Sequence, residues 1–216
     1  MLTIDNYVTA SPEQWEIIIE GMRNPMNSWD KSDSYCDWPE HPDVFKLGEN
    51  DSALMHKLAE AGSDDRKFMR MIPLYLTITA PLYWWKEFDT YKVGTVTNSC
   101  STMHKIHDKK FELDDFSCEY LDPLSLHLLR EEIIPTLNTY REDYNIMRKK
   151  SDWWQMIQLL PTSYNQRRTV MLNYEVARNI YRARRNHKLT EWHTLCDFIE
   201  SEIPHNELII GVKKNG

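Results

Sequence analysis

The chain has 216 residues, 41% of them hydrophobic, and a formal net charge of −7. This length suits one domain with enough apolar material for a core. The acidic balance argues against a general nucleic-acid-binding protein, which needs a basic face to release counterions from phosphates. Glycines number only 6 and neither GxGxxG nor GxxxxGK[ST] occurs, so the sequence offers no glycine-rich phosphate loop.

Cysteine spacing and apolar patterning predict the compartment. The four cysteines lie far apart with no CxxC pair, as is usual for free thiols in a reducing compartment. The first residues lack a basic region followed by an apolar one, so no secretory signal is predicted. No apolar stretch approaches the roughly 20 residues of a membrane helix. We therefore expect a soluble, cytoplasmic protein.

The first predicted helix begins after Ser11. Ser11 caps it, Pro12 takes the first helical position, and Gln14 closes a capping box. The pattern continues to about Met22. Residues 24–50 are rich in Pro, Asp and Ser, and we predict an irregular excursion there.

Two tryptophans, Trp29 and Trp38, are expected to anchor this excursion to the body of the protein.

After the excursion, the sequence pattern predicts alternating helical and extended segments. These are a helix over 51–62, a strand over 71–79, a helix over 80–88 and an extended segment over 93–97.

The second half of the chain predicts helices almost throughout. Their expected ranges are 123–149 with a break before Pro135, 153–160, 169–185, and 190–202 with Thr190 as its cap. Helices dominate and the strands fall in the first half. We therefore predict a helix-rich α+β fold, a single domain over residues 1–216, with a small mixed or antiparallel sheet.

The predicted helix over 169–185 carries a stripe with a polar group at each end. Asn173, Ala177, Ile180 and Arg184 share one face at helical spacing, and Asn179 lies beside them. This stripe could line the wall of a pocket. Alternatively, Asn173 caps a neighbouring backbone and Arg184 extends to water.

Cations are concentrated around the same segment. In an acidic protein this indicates an anionic ligand such as a phosphate, or a subunit interface, because the arginine fork matches phosphate geometry. Alternatively, they form a solvated helix face, where cations suit the helix dipole. The cations are Arg167, Arg168, Arg178, Arg182, Arg184, Arg185 and Lys188.

A run of small polar residues over 95–102 could surround a polar ligand, or could be an ordinary loop rich in side chain–backbone bonds. Cys100 is a weak candidate nucleophile, because only His104 or His107 could serve as its base. The two histidines lack further ligands, so no metal site is predicted. The pairs 84–85 and 153–154, both Trp-Trp, are expected in the core or in an interface.

The stretch that begins at Ala80-Pro81 resembles the signature region of flavin-dependent thymidylate synthases. In that family a strand leads into Ala-Pro and a helix that carries Arg-Gln-Trp, followed by Arg-His-Arg. An ungapped match places Lys86, Glu87 and Phe88 at the first triplet, and Thr90, Tyr91 and Lys92 at the second.

The remainder of the family signature has spaced Ser, Asn, Ser and Arg. Thr95, Thr97, Cys100 and Thr102 fall at these positions. A shift by one residue matches Asn98 and Ser101 instead.

A second stretch resembles the same family in its spacing. The family has Leu-Pro, a nearby aromatic residue, two asparagines, an arginine and then a histidine. Leu160-Pro161, Tyr164, Asn173, Asn179 and Arg184 match this order without a gap, and Lys188 falls at the histidine with His187 one place earlier. The two stretches cover about half of the chain.

The resemblance implies a homotetramer with FAD at subunit interfaces and a dUMP-like pyrimidine nucleotide beside the flavin. It implies reductive methylation with methylenetetrahydrofolate and NADPH as co-substrates. The implied flavin contacts are Tyr91, Lys92, Thr95, Asn179, His187 and Lys188. The implied nucleotide contacts are Glu87, Asn98, Cys100, Ser101 and Arg184. No catalytic residue is assigned.

Several cations of the family signature are replaced in this chain. Thr90, Tyr91 and Thr102 stand where the family has Arg, His and Arg. Each charged hydrogen bond lost removes roughly 1.5–3 kcal/mol of binding free energy. Two hypotheses follow: a flavin-dependent enzyme of this family, with an altered substrate as one form, or a non-catalytic nucleotide-binding or oligomeric interaction protein that kept the fold.

Overall fold

The computed structural model describes residues 1–37 and 41–211. Over these residues the protein has a helix-rich α+β fold with small antiparallel sheets, which confirms the predicted class. Its contacts define two compact units. Unit 1 comprises residues 1–4, 77–90 and 97–169, and unit 2 comprises residues 5–76, 91–96 and 170 onwards. A single domain over the whole chain stays a prediction.

The strands form a four-stranded sheet and a hairpin. The sheet order is β1-β4-β6-β5, and β2 pairs with β3 in antiparallel register. The strands are β1 (Thr3–Thr9), β2 (Tyr35–Asp37), β3 (His41–Lys46), β4 (Pro73–Pro81), β5 (Val96–Ser99) and β6 (Asn165–Asn173).

The helices confirm most of the predicted segments. Those of the described residues are α1 (Pro12–Arg23), α2 (Glu49–Glu60), α3 (Leu82–Phe88), α4 (Pro123–His127), α5 (Ile134–Met147), α6 (Lys150–Leu159), α7 (Tyr174–Arg184), α8 (Thr190–Glu202) and α9 (Glu207–Ile210).

Helix α1 begins as its sequence predicts. The Ser11 side chain accepts a hydrogen bond from the Gln14 amide, and the Gln14 side chain accepts one from the Ser11 amide. This reciprocal pair satisfies two donors that a helix start leaves open. Trp15 and Ile18 then pack into the core of unit 2.

The excursion predicted to be irregular contains ordered structure. It has 3₁₀ turns at Asn24–Met26 and Trp29–Lys31 and then the β2–β3 hairpin. Trp29 does not pin it by burial, because its side chain is half exposed and donates to the Asn24 side chain. Trp38 lies outside the described residues.

A buried carboxylate organises this excursion. Asp51 is fully buried and accepts hydrogen bonds from Arg23, Ser32, Asp33 and Ser34. Asp33 in turn accepts from the first amides of α2. The prolines of residues 24–50 do not reveal this order, because it depends on hydrogen bonds between Asp51 and residues 17 to 19 positions before it.

The break predicted before Pro135 is confirmed in unit 1. Helix α4 passes through a π-helical segment, Leu128–Ile133, and α5 then carries Pro135 in its first turn. Proline removes a backbone donor, and the wider π turn accommodates the interruption. The core around this segment includes Ile106, Phe111, Phe116, Leu129, Leu137 and Met156.

The helix predicted over 169–185 is wrong in its first part, which is strand β6. Its β-branched residues Thr169 and Val170 suit a strand, and its partners β4 and β5 are distant in sequence, so periodicity missed it. Strand β1 was missed in the same way. Helix α8 has the predicted bounds, but Leu189 takes its N-cap position, so the predicted Thr190 cap is wrong.

Candidate functional site

Asn173 caps helix α7 instead of lying on a helical stripe. Its side-chain oxygen accepts a hydrogen bond from the Val176 amide at 3.0 Å. Ala177 and Ile180 are buried in the core of unit 2. The predicted pocket-lining stripe is therefore corrected: its first residue ends a strand and its middle residues are core.

Arg184 is held against two aromatic rings in unit 2. Its Nε donates to the Tyr91 hydroxyl at 2.9 Å. Its guanidinium carbon lies 4.8 Å from the Trp192 ring centre and 5.7 Å from that of Tyr91. Trp192 is fully buried, and cation–π attraction strengthens where water is excluded. The two rings therefore fix the orientation of the guanidinium.

His187 lies beside the same tryptophan. Its ring centre is 6.4 Å from that of Trp192, and its Nδ1 accepts from the Leu189 amide. Lys188 and Asn179 are exposed. Of the predicted C-terminal contacts, His187 thus joins Arg184 around Trp192, whereas Asn179 lies on the outer surface of α7.

The loop over 91–96 brings together three predicted flavin contacts. Tyr91 bonds Arg184, Lys92 is exposed, and Thr95 is half-buried. The Thr95 hydroxyl is buried without a hydrogen-bond partner among the described residues. Gly94 has φ +74°, and a Cβ there would lie 3.0 Å from the Asn173 side chain, so glycine is needed for this close approach.

The remaining predicted nucleotide contacts lie in unit 1. Asn98 and Cys100 are exposed, and Glu87 is half-buried. The Cys100 backbone is fixed by bonds to Arg167 and Gln166.

Ser101 closes a local turn by accepting from the Met103 and His104 amides, at 3.3 and 2.8 Å. Its hydroxyl thus takes part in the side chain–backbone bonding of an ordinary loop. Ser101 therefore fits the interpretation of the 95–102 run as an ordinary loop.

Most cations of the predicted basic cluster bind carboxylates. Within unit 2, Glu60 contacts Arg178 at 2.8 Å and Arg182 at 3.6 Å. Arg185 contacts Asp197 and Glu200.

Arg168, in unit 1, contacts Asp89 at 2.8 Å and lies over the buried Trp85 ring. These partners neutralise much of the cluster.

Cys100, Cys118 and Cys196 are free thiols, and Cys196 is buried. Burial raises the pKa of the Cys196 thiol to about 11, which keeps it protonated and unreactive at neutral pH. Among residues 1–37 and 41–211, no group of His, Cys, Asp or Glu side chains is arranged to hold a metal ion. No helix in this described part is long and apolar enough to cross a bilayer.

Trp192 was missed by sequence reasoning. Nothing local in the sequence linked it to Arg184. Tyr164, the aromatic residue of the second stretch, packs on Phe116 in the unit 1 core, with ring centres 5.6 Å apart. Its role here is structural.

Solved structures share this fold. Thymidylate synthase X from Helicobacter pylori, crystallised with FAD and dUMP, matches with a TM-score of 0.66 and 17% identity over 97% of each chain. A flavin-dependent thymidylate synthase structure from the same organism, also complexed with FAD and dUMP, matches with a TM-score of 0.64 and 15% identity over 97% of each chain. No family model and no curated protein matches the sequence. The likeness establishes a thymidylate synthase X-like fold.

Proposed function

We propose that the protein is a flavin-dependent enzyme acting on a pyrimidine nucleotide similar to dUMP. The observation that carries this proposal is the fold match over 97% of both chains to structures solved with FAD and dUMP. Fold alone does not determine chemistry, so the site residues must support it. Methylation, with methylenetetrahydrofolate and NADPH as co-substrates, is the reaction that the resemblance implies.

The loop over 91–96 fits a flavin cofactor. Lys92 is an exposed cation suited to a pyrophosphate, and the unpartnered Thr95 hydroxyl is a donor that a ligand oxygen would satisfy. Tyr91, Asn179, His187 and Lys188 complete the proposed contacts. Bound and reduced, a flavin would supply the hydride for the pyrimidine ring.

The chain's own part in the proposed reaction is to bind and orient the nucleotide. Arg184 is suited to a phosphate because Tyr91 and Trp192 hold its guanidinium in one orientation. Pre-positioning reduces the entropy lost on binding. The other proposed nucleotide contacts are Glu87, Asn98, Cys100 and Ser101.

We further propose a cytoplasmic homotetramer. The wide spacing of the cysteines, with no CxxC pair, agrees with a reducing compartment. Light scattering after gel filtration should give four times the 25.8 kDa of one chain. A monomer at micromolar concentration would contradict the tetramer, and with it the proposed flavin site at subunit interfaces.

One observation favours a second candidate function, a non-catalytic nucleotide-binding or oligomeric interaction protein. The Tyr91 hydroxyl already engages Nε of Arg184, so one donor of the proposed phosphate contact is used within the chain. Thr90 and Tyr91 also supply no cation for a flavin phosphate.

A flavin titration distinguishes the two functions. The purified protein should bind FAD saturably, measured by quenching of flavin fluorescence, and dUMP should tighten that binding. The variant Lys92→Ala should weaken FAD binding about 10- to 100-fold, because a charged hydrogen bond contributes roughly 1.5–3 kcal/mol. Lys57→Ala, at an exposed lysine of α2, is the matched control. No saturable binding by folded wild-type protein would favour the non-catalytic function.

A further inference from the structure

A pocket of about 230 Å³ lies between helix α1 and the segment that follows it in unit 2. No proposed flavin or nucleotide contact lines it. One wall comes from a single face of α1 and the other from the 29–34 segment. Its lining includes Glu16, Glu20, Arg23 and Trp29.

Arg23 lines this pocket and also a neighbouring one that includes Met26 and Asn50, and its side chain is almost fully buried. Its side chain is only 4% exposed, its Nε binds Asp51 at 2.5 Å, and its Nη1 donates to Ser28. Its Nη2 is buried without a hydrogen-bond partner among the described residues. Buried polar groups are nearly always satisfied, so this nitrogen indicates a missing acceptor.

The charges around the pocket select the kind of ligand. Asp51 offsets the charge of Arg23, so Glu16 and Glu20 leave the pocket negative. An anionic ligand is therefore disfavoured. A simple cation would satisfy the carboxylates but would offer no acceptor to Arg23. A neutral group with donors on one edge and a carbonyl beside them satisfies both the two carboxylates and the donor of Arg23.

Trp29 adds a flat surface at the pocket. Its side chain is 50% exposed, and its indole nitrogen donates to the Asn24 side chain at 2.8 Å. Stacking of a planar base on an aromatic side chain is favourable and tolerates any ring. The ligand that suits this surface is therefore planar.

We propose that this pocket binds a ring with the 2-amino-oxo edge shared by guanine and pterin. The ring N–H and the exocyclic 2-amino group donate to Glu20 and Glu16, the carbonyl accepts from Arg23, and the ring stacks on Trp29. Arginine recognises the same carbonyl of guanine in DNA. Because Nη2 is shielded from solvent, the proposed binding includes a local movement of the side chains around Arg23.

Calorimetric titration with nucleosides tests the edge directly. Guanosine should bind saturably with one site per chain. Inosine, which lacks only the 2-amino group, should bind about 10-fold or more weakly, and adenosine should not bind detectably. Titration with pterin distinguishes the two rings that carry this edge. If pterin binds and guanosine does not, the ligand of the pocket is a pterin. Failure of both rings to bind, or equal affinity for guanosine and inosine, overturns the proposal.

Matched variants test the walls of the pocket. Glu20→Gln and Trp29→Leu should each weaken binding about 10-fold. Glu13→Gln, on the same helix but outside the pocket, and Trp154→Leu, at a similarly exposed tryptophan of unit 1, should leave it unchanged. Equal losses in the control variants would overturn the assignment. The outcome is independent of the flavin titration, since no residue is shared.

Discussion

Replacing Arg184 with alanine is expected to weaken dUMP binding about 10- to 100-fold. A hydrogen bond between a guanidinium and a phosphate contributes roughly 1.5–3 kcal/mol, and each 1.4 kcal/mol is a factor of ten. Arg184→Lys should fall between wild type and alanine, because lysine keeps the charge but loses the planar fork. Calorimetric titration of the FAD-saturated protein measures the effect.

The control for this prediction lies on the same helix. The Arg182 side chain is half exposed and forms a long ion pair, 3.6 Å, with Glu60. Arg182→Ala therefore removes one positive charge, as Arg184→Ala does, but at a position that does not contact Tyr91 or Trp192 in the described contacts. Thermal melts should show that both alanine variants are folded. If Arg184→Ala binds dUMP as tightly as Arg182→Ala does, the assignment of Arg184 is wrong.

The hydrogen bond between Arg184 and Tyr91 can affect the affinity for dUMP in two opposite ways. If the tyrosine orients the guanidinium for a phosphate, Tyr91→Phe should weaken dUMP binding several-fold, because the bond at 2.9 Å is lost. If the bond instead withholds Nε from the ligand, the same variant should bind dUMP more tightly. The sign of the change thus shows whether Tyr91 orients the Arg184 guanidinium for the nucleotide or withholds its Nε from it.

Replacing Asp51 with alanine is expected to lower the free energy of unfolding by about 3–5 kcal/mol. Removing one partner of a buried ion pair leaves the other charge uncompensated, and Arg23 is almost fully buried. The change also leaves the Asp33 and Ser34 amides without their acceptor. Urea denaturation measures it.

Asp30 provides the control for the stability prediction. It is an exposed acid in the same segment, so Asp30→Ala should change stability by no more than about 0.5 kcal/mol. Equal stability of the two alanine variants would rule out the buried pair as the main support of the excursion. The double variant Arg23→Met/Asp51→Leu should recover part of the loss, because it removes both charges.

Acid should remove the stability that the Asp51 carboxylate contributes. Burial raises the pKa of the Asp51 carboxyl, but hydrogen bonds from Ser34, Arg23 and Ser32 more than offset it and lower the pKa from 3.8 to about 2. A lowered folded-state pKa contributes stability above the unfolded value, and that stability is lost as the pH falls from about 4 towards 2. Asp51→Asn should therefore show a shallower loss of stability than wild type over this interval.

Local chemistry in the sequence determined several elements without further information. The capping box at Ser11 and Gln14 completes its hydrogen bonds within one turn. Pro135 interrupts its helix through its own ring, so the break before it was also predictable. Two motif stretches likewise indicated the fold that the solved structures share, although residues such as Tyr91 and Thr102 depart from the family signature.

Tertiary structure alone decided the features that join distant residues. Strand β6 exists because β4 and β5 pair with it, and its own residues also satisfied a helical period. Asp51 accepts a hydrogen bond from the amide of Ser34, 17 residues before it. Arg184 obtains its geometry from Tyr91, 93 residues away. Hydrogen bonds within a turn are encoded by neighbouring residues, whereas burial and pairing across the chain depend on which segments the fold brings together.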